Sequence, residues 1–126
     1  MKKVITISTI LFLSGLIVFP IQANALNLME SFFLKITIVE NGVEHEWEYT
    51  SPGKYEYEKG EKVIKTDEAK EEMHSIVKLL DLSEKAKVEE MVEVLKKERY
   101  PALERLDIRW MNGESKLYTW VWDKSN

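Results

Sequence analysis

The chain has 126 residues, of which 18 are Lys or Arg, 22 are Asp or Glu, two are His and none is Cys. That length suits one small domain, and the missing cysteines exclude a disulfide framework, a thiolate metal site, a cysteine nucleophile and a lipidated N-terminal cysteine. A formal charge of −4 argues against a duplex nucleic-acid binder, which needs a basic face to displace counterions.

The chain begins with a change of composition. Lys2 and Lys3 precede an uncharged, mostly apolar run from Val4 to Phe19, which Pro20 ends, and Ala23-Asn24-Ala25 supplies small residues at the two positions a signal peptidase reads. Those parts in that order predict a secretory signal peptide, residues 1–25, cleaved after Ala25. The run is barely long enough to be retained as an anchor across a ~30 Å hydrocarbon core, and the A-x-A site favours removal. Cleavage leaves a single domain, residues 26–126, with 16 basic against 22 acidic residues and a charge of −6.

From Phe32 the apolar residues have period two. Phe32, Leu34, Ile36 and Ile38 point one way, and Asn41-Gly42 follows, the dipeptide best suited to a two-residue type I′ turn. Val43, His45, Trp47 and Tyr49 then alternate with Glu44, Glu46 and Glu48. A turn at Asn41-Gly42 sets Ile38 opposite His45, Ile36 opposite Trp47 and Leu34 opposite Tyr49, so turn chemistry and pattern agree. After Ser51-Pro52-Gly53, Tyr55 and Tyr57 continue as a third strand. Glu61 to Lys65 reads equally as a short strand or a loop.

Thr66 is an N-cap with Asp67 and Glu68 in the first turn, and Ala69, Met73, Ile76, Val77 and Leu80 repeat at helical spacing. Ser83 is expected to cap a second helix with the stripe Val88, Met91, Val92 and Leu95, which Pro101 ends. The last segment is a hairpin with two competing registers. A two-residue turn at Asn112-Gly113 pairs Ile108 with Leu117 and sends Tyr118, Trp120 and Trp122 to the face opposite the other apolar residues. A three-residue loop, Met111-Asn112-Gly113, pairs Trp110 with Glu114 and gathers all the large rings on one face. The expected order is β-β-β-α-α-β-β, an α+β domain with an antiparallel sheet built of hairpins and two helices packed on one face.

Chemistry is sparse. His45 has glutamate neighbours that project to the opposite sheet face, so it reads as a partly buried sheet residue. Glu71 and His74 form a lone E-x-x-H, whereas dimetal sites use two copies and two further acids. The stripe Glu44, Glu46, Glu48, with Glu56 and Glu58, reads as a solvated outer face. No serine lies in G-x-S-x-G or S-x-x-K, and no glycine pattern fits a nucleotide loop. The aromatics are the one surplus. If Tyr118, Trp120 and Trp122 lie outside, they form a contact platform for a partner or ligand; otherwise they are core.

The signal segment, the missing cysteines and the Glu/Lys-rich body resemble small exported proteins of Gram-positive bacteria in general. These features predict a secreted, non-enzymatic binding module of the bacterial envelope or exterior. It would act on a protein or cell-wall polymer, with no cofactor, metal or nucleic acid, and meet the membrane only through its signal. A homodimer burying the C-terminal aromatic strand is the alternative, and a small carboxylate-based hydrolase the third reading.

Overall fold

The computed structural model describes residues 26–126, so the expected signal peptide and its cleavage site lie outside the described residues. Asn41 and Gly42 take φ of 51° and 75°, the paired positive values of a type I′ turn. They join β1 (Ser31–Glu40) to β2 (Val43–Thr50) in the expected register, with Leu34, Ile36 and Ile38 opposite Tyr49, Trp47 and His45. β3 (Lys54–Lys59) sets Tyr57 beside Trp47 and Tyr55 beside Tyr49. The ambiguous stretch after Gly60 resolves as a three-residue strand, β4 (Lys62–Ile64).

α1 (Asp67–Leu80) starts where Thr66 Oγ1 accepts from Glu68 N–H (3.3 Å) and ends at Asp81 in the left-handed region. α2 (Val88–Glu98) starts four residues later than Ser83 as a cap implied. The Ser83 hydroxyl instead accepts from Lys85 N–H (3.2 Å) and its carbonyl from Ala86 N–H (3.1 Å), closing a local turn. Lys87 occupies the cap position without a side-chain bond.

β5 (Leu103–Asn112) and β6 (Leu117–Asp123) complete one antiparallel sheet in the order β4-β3-β2-β1-β5-β6. The connection through both helices carries the chain from the β4 edge back to β1, where Ile36 meets Ile108. α1 packs on β2 and β3, α2 on β5 and β6, all on one side. The interlayer core holds Leu34, Ile36, Ile38, Trp47, Tyr49, Leu106 and Ile108 from the sheet, and Ala69, Met73, Ile76, Met91 and Leu95 from the helices. The class is α+β as expected, with one more short strand.

Neither register anticipated for the last hairpin is the observed one. Trp110 pairs with Tyr118, Ile108 with Trp120 and Leu106 with Trp122, around a loop at Gly113–Lys116. The burial argument names the right face, but the turn is longer. Asn112 is the reason: its Oδ1 accepts from the N–H groups of both Glu114 and Lys116 (2.9 and 3.0 Å), organising four residues instead of two. Gly113 serves close approach here, because a Cβ on it would collide with the backbone carbonyl of Glu30.

Candidate functional site

β6 is an edge strand, and its two sides differ. Tyr118, Trp120 and Trp122, the candidate contact residues, project toward the helices and are half-buried. Tyr118 stacks between Trp110 (4.9 Å) and Trp120 (6.1 Å). The Trp120 indole N–H donates to the Ala86 carbonyl (2.8 Å), which ties β6 to the loop ahead of α2. Lys96 lies over the Trp122 ring at 4.9 Å and Lys116 over Tyr118 at 5.1 Å. These rings are therefore the rim of the core and not an outward platform. On the other side, Leu117 and Val121 are 51% and 53% exposed. Sequence reasoning did not single out that exposed pair; the signal was that the bulkier alternate set claims the interior.

The free backbone of β6 can be read from its two ends. Asn112 N–H donates to Lys116 C=O and Lys124 N–H to Glu104 C=O, both at 3.0 Å. Hydrogen-bonded pairs recur at every second position of an antiparallel ladder, so Tyr118, Trp120 and Trp122 turn their amides to β5. The N–H and C=O groups of Leu117, Thr119, Val121 and Asp123 thus point away from the sheet. Among the described residues only Asn126 N–H, on Asp123 C=O (3.2 Å), caps that row with a backbone bond. The opposite edge is different: β4 is three residues long, begins with Lys62 and is followed by Lys65, the features that discourage strand addition.

The face away from the helices is uncovered and ordered by charge. Glu44, Glu46 and Glu48 on β2 stand beside Glu56 and Glu58 on β3, with Glu46 directly opposite Glu58 and Glu48 opposite Glu56. The Glu58 carboxyl is held above the usual carboxylate range, first by a hydrogen bond with Glu56 and then by slight burial and the charge of Glu46. Lys35 on β1 meets Glu46 at 2.8 Å, which raises the lysine pKa. On β5, Arg105 and Arg109 flank Asp107, each at 3.4 Å. Across the sheet the columns run acidic, then basic, then uncharged along β6 from Leu117 to Val121, with Asp123 at its end opposite Arg105.

The histidines do not converge on anything. His45 is buried on the helix side, with Nδ1 3.3 Å from the Tyr57 hydroxyl and its ring 5.3 Å from Tyr100. Burial, and secondarily Lys59, lowers its pKa; burial pushes Tyr100 up to about 12. Nearby Glu72 accepts from Trp47 Nε1 (3.4 Å) and pairs with Arg99 (3.7 Å). Every buried side-chain N and O among the described residues has a partner, so this cluster is a closed part of the core. Glu71 and His74 sit exposed on α1, where His74 meets the Tyr55 ring edge-on (5.8 Å). Among the described residues, no group of three His, Asp or Glu is placed to hold a metal ion.

Two clefts open beside the N-terminal segment. One, about 490 Å³, lies at the end of Trp110 between Glu30, Glu84 and Glu114. The other, about 620 Å³ and more apolar, lies between Leu28, Tyr55, His74 and Val77. Neither joins the β6 edge or a titratable group with a shifted pKa other than Tyr55, which burial raises. The chain matches no known protein family, no curated protein and no solved structure.

Proposed function

We propose that the protein is an exported, non-enzymatic binding module whose contact surface is the β6 edge with the adjoining open sheet face. One observation carries the reading: a seven-residue edge strand, Leu117–Asp123, keeps a row of backbone donors and acceptors free and exposes Leu117 and Val121 beside it. Such a strand is a template for pairing with another chain, and most edges in native proteins are blunted. β6 has no proline, glycine or lysine, and its single charge is Asp123 at the end. The rings behind it are pinned by the Trp120–Ala86 bond, so the edge is rigid before any partner arrives. The partner belongs outside the membrane, as a protein or wall polymer, because the signal segment directs the chain there.

Site-specific photocrosslinking tests this. A benzophenone amino acid replaces Leu117, Val121 or, on the opposite edge, Lys62, and the protein is expressed in a Gram-positive host and irradiated in the exterior fraction. The reading expects the product to begin at Leu26 and to form adducts from positions 117 and 121 but not from 62. Adducts of equal yield from all three, or none, would count against β6 as the contact surface.

A further inference from the structure

We infer that the partner of β6 is a second copy of this chain, paired antiparallel across a two-fold axis at Val121. This rests on the reading of β6 as the contact surface and names its occupant.

The strand is complementary to itself in a register centred on Val121. The outward amides belong to odd-numbered residues, so hydrogen-bonded pairs must join odd to odd. Centring on Trp120 would set Lys116 against the partner's Lys124, a like-charge pair across the ladder. Centring on Val121 removes that conflict. Val121 then faces the partner's Val121, Thr119 faces the partner's Asp123, Trp120 faces the partner's Trp122 and Tyr118 faces the partner's Lys124. The Val121 pair lies on the axis, and each of the other contacts occurs twice, as a closed two-fold interface requires. The bond it disturbs is the 3.2 Å contact of Asn126 N–H to Asp123 C=O.

The charge order favours the same arrangement. A domain of charge −6 repels its twin unless the acids stay apart. Here the glutamate columns are on β2 and β3, at the far side of the sheet from β6. Joining two β6 edges leaves seven strand spacings between the β2 columns, roughly 34 Å along the sheet at about 4.8 Å each, against a screening length of about 8 Å. The neutral column made by Leu117, Thr119 and Val121 becomes the centre of a twelve-stranded sheet. The closure uses up both free edges, and Lys62 and Lys65 guard the outer ones, so assembly stops at two.

The absence of cysteine makes the test clean. The protein is purified as residues 26–126, the span that holds the whole described core, and sedimentation is followed with concentration. The expected result is a dimer that Val121→Lys converts to a monomer with unchanged far-ultraviolet dichroism, because it sets like charges opposite each other at the axis. Under mild oxidation Val121→Cys should form a disulfide dimer, since facing residues of a hydrogen-bonded pair lie about 5.5 Å apart. Thr119→Cys should not, because its twin lies about 13 Å away along the strand. A chain that stays monomeric, or a dimer that crosslinks through Lys62→Cys instead, would overturn the proposal. Photocrosslinks from Leu117 and Val121 to a different protein, with this chain monomeric, would overturn the second copy yet leave the β6 surface standing. Monomers without crosslinks would remove both.

Discussion

The side of the sheet that Trp120 occupies can be tested by weighing it against its neighbours in sequence. Trp120→Phe keeps an aromatic ring, though a smaller one, and deletes the indole N–H that reaches the Ala86 carbonyl at 2.8 Å. A net hydrogen bond contributes about 1 kcal/mol, and leaving Ala86 without its donor adds a cost of similar size only where water cannot enter. Because Trp120 is half-buried, about 1 kcal/mol is the expectation, lowering Tm by about 4–8 °C in a domain of ~100 residues. Trp120→Ala also removes packing on the loop before α2. A fully buried tryptophan truncated to alanine costs about 3–5 kcal/mol, so a half-buried one should cost about 2–3. Thr119→Ala and Val121→Ala, on the open face, should stay within about 0.5 kcal/mol. Urea unfolding by far-ultraviolet dichroism measures all four, at concentrations low enough to keep the chain monomeric, because association would add to apparent stability. If Val121→Ala costs more than Trp120→Phe, the last hairpin is turned the other way and the whole account of β6 fails.

Three further perturbations follow. Gly113→Ala should destabilise by about 1–3 kcal/mol, as for overpacking against atoms that cannot move aside, whereas a thermal melt unchanged from wild type would mean that the Glu30 carbonyl is not seated there. Burial lowers the His45 pKa in the folded chain below its ordinary 6.5, so the unfolded chain binds the proton first. The His45 contribution is complete above pH ~6.5 and is lost as pH falls through the lowered folded value; His45→Phe should flatten that loss, and identical pH slopes for both proteins would refute it. The Glu58 pKa is raised instead, so its repulsion with Glu46 and Glu56 acts above the folded value and fades as the carboxyl protonates. Glu58→Gln should raise Tm at neutral pH, less in high salt and not at all in acid; a gain that persists in acid or survives molar salt would point to another cause.

The two Asn-Gly dipeptides show where local reasoning works and where it stops. At Asn41-Gly42 the turn and the alternation demand the same register, so both read correctly. At Asn112-Gly113 the same letters serve other ends. The asparagine side chain organises a longer loop, and the glycine yields to Glu30, a neighbour some 80 residues earlier in the chain that no local pattern reveals. Ser83 fails for a related reason: its hydroxyl is as suited to a local turn as to a helix start, and tertiary packing chooses. For Tyr118, Trp120 and Trp122 two faces were legible, one favoured by the turn and one by burial, and packing chose the second. That β6 ends the sheet was not legible, since strand order depends on β5 returning to β1.

That return has a kinetic side. β1 to β4 form a meander of near neighbours, but β1 is finished only when β5 arrives, about 70 residues after it in sequence, to set Ile108 beside Ile36. Long-range closure is the slow part of folding. On the export route proposed above, the delay would be useful: the central strand cannot be sealed until the C-terminal hairpin has emerged. Until then β1 is itself an unpaired edge carrying Leu34, Ile36 and Ile38. The incomplete chain is at greatest risk of aggregation in that interval, and a stop codon before Leu103 would prolong it indefinitely.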